Sequence, residues 1–323
     1  MTFFRRVVGI LERLFHLAGM KESYHICFTS HHEVMFRDEE DHNMMVNLMA
    51  LRAFAADTEV VVDAEMSTHV HLNVFTNKPL AYAGALRMSY TKYFNHKYDR
   101  KGRMGEKYTY LLKVEGFNHQ MVLQNYILRN GLHHGAAATA FGYKYCTARD
   151  LFIEDIGLSS DFPVSFSRQD IASFLPRHSE FPDHFQMNAA GAFVRSSFME
   201  IRRAEQFYAT PRNYLFQMNR LTDEDWIREQ EKDQTGAPVT LAVVERADES
   251  TVAQLLINEK GRQFCRSRKQ DMDVCRLIDC DFLPGYGARS VYHLTESQKQ
   301  RIAAQLQNEF RLPEAQIKRC LVL

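Results

Sequence analysis

A short alternating stretch carries the side chains best suited to chemistry. Residues 68–74 read Thr-His-Val-His-Leu-Asn-Val. Side chains along a β-strand alternate between faces, which directs Val70 and Leu72 to a core and His69 and His71 to the opposite face. Two imidazoles two residues apart can share one metal ion. The alternative is a pair of surface histidines on an exposed sheet face.

A tyrosine on a later helical segment is the second candidate. The segment begins near His119, and Val122, Tyr126 and Asn130 recur every four residues along it. That spacing places the three side chains on one helix face. By itself the pattern is that of ordinary packing residues, so it acquires meaning only in combination with the histidine pair.

Positive charge is concentrated between these two stretches, although the formal net charge of the chain is zero. The basic residues of segment 85–113 are Arg87, Lys92, Lys97, Arg100, Lys101, Arg103, Lys107 and Lys113. Tyrosines and a phenylalanine are interleaved with them, and only Asp99 and Glu106 oppose them. Basic and aromatic residues together suit phosphate contact and base stacking. A solvated helix face would account for the same pattern.

Composition places the chain among ordinary globular proteins. It has 323 residues, of which 45% are hydrophobic and 25% are charged, and this length predicts more than one domain. No apolar run reaches the roughly 18 residues of a membrane span. Six cysteines without C-x-x-C spacing argue against a zinc ribbon or a disulfide framework and predict a cytoplasmic protein.

The elements that must position the candidate residues can be read from the same sequence. Strands are predicted at 24–30, 60–66, 69–75 and 107–114, with helices after Asp38, from Asn77 and Pro79 to about His96, and from Asn118 to Arg129. The order is therefore β-α-β-β-α-β-α. This order predicts an α+β fold with a ferredoxin-like (RRM-like) split βαβ sheet.

The combined motifs resemble those of single-tyrosine HUH transposases, most closely the REP-associated tyrosine transposase branch. The resemblance covers roughly residues 22–150. It rests on Met66 shortly before His69-Val70-His71, on Tyr93-Phe94-Asn95 followed by Lys101-Gly102-Arg103, and on Tyr126-Ile127-Leu128-Arg129-Asn130. Two departures follow the last motif. Gly131 stands where the family usually has proline, and His133 where arginine is common.

The resemblance implies a metal-dependent DNA endonuclease and transposase. Tyr126 would be the catalytic nucleophile, forming a 5′-phosphotyrosine intermediate that a second strand end can resolve. His69 and His71 would hold a divalent ion, Mg²⁺ or Mn²⁺. Asn130 would be the third ligand because family members use an amide one turn after the tyrosine; its alternative role is that of a residue at the helix C-terminus. Glu65 and Asn73 are weaker ligand candidates.

The remainder of the chain is predicted as three further units. They are an N-terminal helix at 1–21, an irregular or helical connecting region at 151–250 with an acidic linker, and a helical region at 251–323. In the last region, a helix that starts at Thr295, a break at Arg311-Leu312-Pro313 and a second short helix fit a helix-turn-helix. A helical hairpin that closes the domain is the alternative.

The predicted partner is single-stranded or hairpin DNA, without a membrane and with a homodimer as one option. The residues expected to contact DNA are Arg87, Lys92, Arg100, Lys101, Arg103, Lys318 and Arg319. The basic loop, Arg100-Lys101-Gly102-Arg103, would position the cleaved strand. The tail, residues 290–323 with Lys318 and Arg319, would recruit DNA without shaping the active site. The alternatives are a domesticated hairpin-DNA-binding protein without transposition, a two-histidine phosphoesterase and an RNA-binding module.

Overall fold

The catalytic candidates lie on an α+β unit whose element order is β-α-β-β-α-β-α, as predicted. The computed structural model describes residues 21–156, 162–219 and 269–323. The elements of the first unit are β1 (Glu22–Thr29), α1 (Glu39–Ala56), β2 (Glu59–Met66), β3 (His69–Thr76), α2 (Pro79–Tyr98), β4 (Tyr110–Lys113) and α3 (Phe117–His133).

The strands form a four-stranded sheet in the order β2-β3-β1-β4, with every neighbouring pair antiparallel. The strand β3 that carries the histidine pair is therefore central. His71 lies opposite Cys27 of β1 and Ala64 of β2. Side chains opposite one another across antiparallel strands share a face, so the histidine face extends over all three strands.

Both faces of the sheet are covered, which removes the surface-histidine alternative. Val70 and Leu72 are buried in the core as predicted, but His69 and His71 are also only 2% and 0% exposed. The reason is that α3 packs against β2 and β3. The alternation correctly predicted which residues share a face, but it carried no information on whether a helix covers that face.

The helix starts differ in part from the sequence prediction. Asp38 caps α1, in a reciprocal capping box with Asp41. Lys78 rather than Asn77 is the N-cap of α2, with Pro79 in the first turn. Likewise, Gly116 precedes α3, so Asn118 lies inside the helix that it was expected to cap. In both cases the chain enters the helix without a side-chain cap.

Residues beyond 133 add short elements. They are α4 (Ile153–Ile156), β5 (Pro163–Val164), α5 (Arg168–Phe174), β6 (Met187–Asn188), α6 (Ile201–Tyr208) and α7 (Pro211–Met218). The last two are the helical part of the connecting region, which the sequence predicted to be irregular or helical. Ala204, Tyr208 and Tyr214 join the same hydrophobic core as α3, and the Tyr214 hydroxyl donates to the carbonyl of Ala140 at 3.0 Å. The packing is continuous across the domain boundary that the sequence suggested at 150.

The C-terminal region contains α8 (Asp271–Leu277), α9 (Glu296–Phe310) and α10 (Glu314–Leu321). As expected, Thr295 caps α9, and the break falls at Arg311, which adopts a left-handed conformation. Buried residues of these helices form a second apolar cluster, which also includes Val34 from the loop after β1. The C-terminal helices therefore pack against that loop.

A buried arginine anchors the tail to the unit that contains the four-stranded sheet. Arg37, which is 1% exposed, donates to both carboxylate oxygens of Asp279 at 3.2 and 2.7 Å and to the carbonyl of Cys320 at 2.9 Å. The tail therefore packs against the sheet unit, and the expectation that it recruits DNA without shaping the active site stays a prediction. The predicted N-terminal helix at 1–21, apart from residue 21, the acidic linker at 222–249 and the helical segment from Thr251 lie outside the described residues.

No helix within the described ranges is both long and apolar enough to cross a lipid bilayer.

Candidate functional site

Four histidines and a tyrosine meet on the α3 side of the sheet. The ring centroids of His69 and His71 are 4.8 Å apart, and His25 of β1 stacks on His71 at 5.2 Å. Tyr126 of α3 lies edge-on to His71, with 5.2 Å between their centroids. His134, just after α3, approaches His69 at 5.7 Å. The predicted nucleophile and the predicted metal-binding pair are thus adjacent.

One of the two ring nitrogens of His71 takes part in a hydrogen bond. Its Nδ1 lies 3.0 Å from Nε2 of His25, whereas its Nε2 has no hydrogen-bond partner among the described residues. Burial lowers the pKa of His71 well below its usual value, and the neighbouring histidines lower it further. Burial lowers the pKa of His25 to about 3. Both rings are therefore neutral at physiological pH, and a neutral imidazole is the form that binds metals.

Tyr126 and Asn130 share the inner face of α3, as the four-residue spacing predicts. The Tyr126 side chain is 6% exposed and that of Asn130 is 2% exposed. The amide nitrogen of Asn130 donates to the carbonyl of Tyr126 at 3.0 Å, but its Oδ1 has no hydrogen-bond partner among the described residues. Because α3 continues to His133, Asn130 is not its last residue. Amide oxygens are among the ligands that hard cations accept, so Asn130 Oδ1 has the chemistry of a metal ligand.

The two weaker ligand candidates are engaged elsewhere. Asn73 hydrogen-bonds to Ser23 and to Gln120 and so ties α3 to the sheet. Glu65 points to the opposite face, where its Oε2 lies 2.7 Å from Nδ1 of His42. Burial raises the pKa of Glu65 well above its usual value, and Asp63 adds to this effect.

The donor set fits a divalent ion only in part. Over the three described ranges, no three His, Cys, Asp or Glu side chains are arranged to hold a metal ion together. His71 Nε2 and the amide oxygen of Asn130 are buried atoms whose bonding capacity is not met by other described groups. Together with His69 they would form an incomplete shell, as expected where substrate oxygens or water complete it.

The basic residues divide into those engaged in the fold and those left on the surface. Arg100 donates to both carboxylate oxygens of Glu33, to Asn95 and to two loop carbonyls. Arg87 donates to the carbonyl of Met104 at 3.0 Å. Both therefore shape the loop. Lys92, Lys101 and Arg103 are exposed.

The two tail residues divide in the same way. Arg319 donates both of its described hydrogen bonds to Asp271, one of them at 2.6 Å, and its side chain is 14% exposed. Lys318 is largely exposed and pairs with Glu314 one turn earlier. Of the two, Lys318 retains the more accessible charge for a phosphate.

Sequence reasoning missed His25 and His134 as parts of the site. The signal for His25 was present: in the predicted alternation of β1 it shares a face with Cys27, and an antiparallel β1–β3 pair brings that face beside His71. His134 lies in the segment after Asn130, beyond the predicted end of the helix at Arg129. Its approach to His69 depends on where α3 ends, which the sequence placed about four residues too early.

Neither a family model nor a curated protein matches this chain.

Proposed function

We propose that the protein is a metal-dependent DNA endonuclease and strand-transfer enzyme of the single-tyrosine HUH type. The observation that carries the proposal is the edge-on contact of Tyr126 with His71. These residues come from a strand and a helix that are separated by about fifty residues of chain. Motifs that are distant in sequence converge on one point, as a shared reaction requires.

The strand order supports a finer description of the fold. We propose that β1 to β4 with α1 and α2 form a ferredoxin-like sheet, to which α3 adds a cover on the histidine face. The order β2-β3-β1-β4 with antiparallel neighbours is the support for this. Free, buried thiols at Cys27, Cys146, Cys275 and Cys320 support a reducing compartment such as the cytoplasm.

The chemistry proposed for the site follows from its groups. The Tyr126 oxygen attacks the scissile phosphorus and loses its proton, and the bond from phosphorus to the 3′ oxygen breaks. The 3′ oxygen takes up a proton and leaves as a hydroxyl, while the 5′ phosphate stays on the tyrosine. A phenol with an ordinary pKa near 10 needs its developing anion and the phosphate charge to be stabilised. A divalent ion held by His69, His71 and Asn130 would supply that electrostatic stabilisation.

The reverse reaction needs no external energy source. A free 3′ hydroxyl attacks the phosphotyrosine, which restores a phosphodiester and releases Tyr126. Because the residues of the site are almost fully buried, a DNA phosphate must displace part of its cover to reach them. His134, on the partly exposed segment after α3, lies at that cover.

The deciding experiment is a covalent-adduct assay. Protein is incubated with hairpin DNA that carries a 3′ label, with Mg²⁺ or Mn²⁺, and the label is followed on a denaturing gel. A label that migrates with the protein supports the 5′-phosphotyrosine. Binding without any adduct would instead favour the domesticated hairpin-DNA-binding protein.

A further inference from the structure

The contact between His25 and His71 bears on the tautomer of His71, that is, on which of its ring nitrogens carries the proton. The two rings are fully buried, stacked within 21° of parallel and joined by a nitrogen–nitrogen contact of 3.0 Å. A hydrogen bond between two imidazole nitrogens requires a proton on one of them and a lone pair on the other. Which ring donates decides what the remaining nitrogen of His71 can do.

Two arrangements satisfy this contact. If His25 donates, a neutral His71 must carry its own proton on Nε2, which then cannot bind a cation. If His71 donates from Nδ1, its Nε2 keeps a lone pair. That nitrogen is buried and has no hydrogen-bond partner in the described parts of the chain. Only the second arrangement makes this vacant position useful for a ligand.

We propose that His25 is a positioning residue whose Nε2 accepts a hydrogen bond from Nδ1–H of His71, which keeps the Nε2 lone pair of His71 available for a divalent ion. The identity of the ligand rests on the function proposed above. Metal-binding histidines are commonly held in this way by a carboxylate or a carbonyl oxygen that accepts the other ring proton. Here an imidazole takes that place.

The choice of an imidazole has a chemical consequence. A carboxylate partner would bring a negative charge close to the scissile phosphate, whereas a neutral imidazole accepts the hydrogen bond from Nδ1–H without adding charge. The proton of His25 itself then lies on Nδ1, which has no hydrogen-bond partner in the described ranges. The stacked geometry, together with the edge contacts to Tyr110 and Tyr126, fixes the orientation of the His25 ring.

The first test reads the tautomer directly in the metal-free, full-length protein. The protein is labelled with ¹⁵N-histidine, and the His71 signals are identified by their loss in His71→Gln. We expect the shifts of a ring protonated on Nδ1. A wild-type His71 protonated on Nε2 would overturn the proposal, whatever the protein does to DNA.

The second test uses a pair of variants at position 25. His25→Phe keeps a ring but removes the acceptor, whereas His25→Gln offers an amide oxygen in its place. We expect His25→Phe to shift His71 away from the Nδ1-protonated form and to weaken Mn²⁺ binding about 10- to 100-fold, the usual effect of losing such a partner. His25→Gln should restore part of both. Unchanged His71 shifts in a folded His25→Phe protein would contradict the proposal.

The two proposals can fail separately. If the wild-type protein forms no adduct, the proposed enzymatic function fails, but the ¹⁵N shifts still decide whether His25 sets the tautomer of His71. If an adduct forms and His71 is protonated on Nε2, the function stands and the role of His25 is wrong.

Discussion

The hydroxyl of Ser67 donates a 2.7 Å hydrogen bond to Oδ2 of Asp271. Ser67 lies in the turn between β2 and β3, two residues before His69, and Asp271 is the first residue of α8. Asp271 also pairs with Arg319 of α10. The C-terminal helices therefore hold the turn that precedes β3, the strand that carries His69 and His71.

The first prediction concerns this connection. Arg319→Ala should lower the free energy of unfolding by about 3 kcal/mol, because it leaves the buried Asp271 carboxylate without its cation. Lys318→Ala is the matched control and should cost about 0.3 kcal/mol, the usual value of an exposed pair one turn apart. Urea unfolding measures both. Equal and small losses would mean that the Arg319–Asp271 pair does not stabilise the tail.

The same connection changes the expectation for a shortened chain. A tail that only recruits DNA could be deleted without loss of cleavage at saturating substrate. Because Arg37 is buried against Asp279 and Cys320, deletion of the helices would instead expose a buried guanidinium. We expect a protein truncated before residue 269 to lose adduct formation even at saturating DNA, measured alongside its circular dichroism.

The second prediction concerns the nucleophile. Tyr126→Phe should abolish the covalent adduct and leave hairpin binding within about twofold, since it removes one oxygen and keeps the ring against His71. Tyr145→Phe is the control, because its hydroxyl lies 3.7 Å from the sulfur of Met272, away from the four histidines. An adduct that persists in Tyr126→Phe would identify a different nucleophile.

The third prediction concerns the metal. His69→Ala and His71→Ala should abolish Mn²⁺ binding, and Asn130→Ala should weaken it, as followed by electron paramagnetic resonance. His96→Ala, on the exposed face of α2, should bind as the wild type does. Removal of the ion with a chelator should stop cleavage reversibly. If Mn²⁺ binds His71→Ala and wild type equally well, the ion is held elsewhere.

The fourth prediction separates the basic residues of the loop. The affinity for single-stranded DNA should fall linearly with salt in a plot of log K against log salt concentration. Lys101→Ala and Arg103→Ala should each make that slope shallower by about 0.7, as expected for the loss of one phosphate contact. Arg100→Ala should act mainly on stability, because it leaves the buried Glu33 carboxylate without its cation and with only the Tyr292 hydroxyl as a described side-chain partner. Fluorescence anisotropy across salt concentrations and thermal unfolding give the two readouts. If Arg100→Ala changed the salt slope as much as Lys101→Ala does and left thermal stability unchanged, Arg100 would be a phosphate contact and not a structural residue.

The sequence predicted the sheet unit well because its signals are local. Alternation located β3 to within one residue at its end, and acidic residues at 38–41 located the start of α1. The helix pair around Arg311 was also located correctly. The N-cap of α3 could not be predicted from the sequence, because Gly116 has no side chain that could cap the helix.

The composition of the site depended on long-range pairing and was therefore only partly predictable. The face shared by His69 and His71 follows from their spacing, but the arrival of His25 needs the β1–β3 register. The engagement of Arg100 by Glu33 and of Arg319 by Asp271 joins residues 67 and 48 positions apart. A count of basic residues cannot distinguish such structural arginines from those that face solvent.

Gly131, near the end of α3, packs directly against a side chain of the following loop. A β-carbon built at Gly131 would lie 2.4 Å from Cβ of Tyr143, closer than two carbons can approach. Tyr143 in turn donates to the carbonyl of Glu65 on β2 at 2.7 Å. Any side chain at position 131 therefore requires Tyr143, or the loop that carries it, to move. That movement would disturb the hydrogen bond that joins this loop to β2.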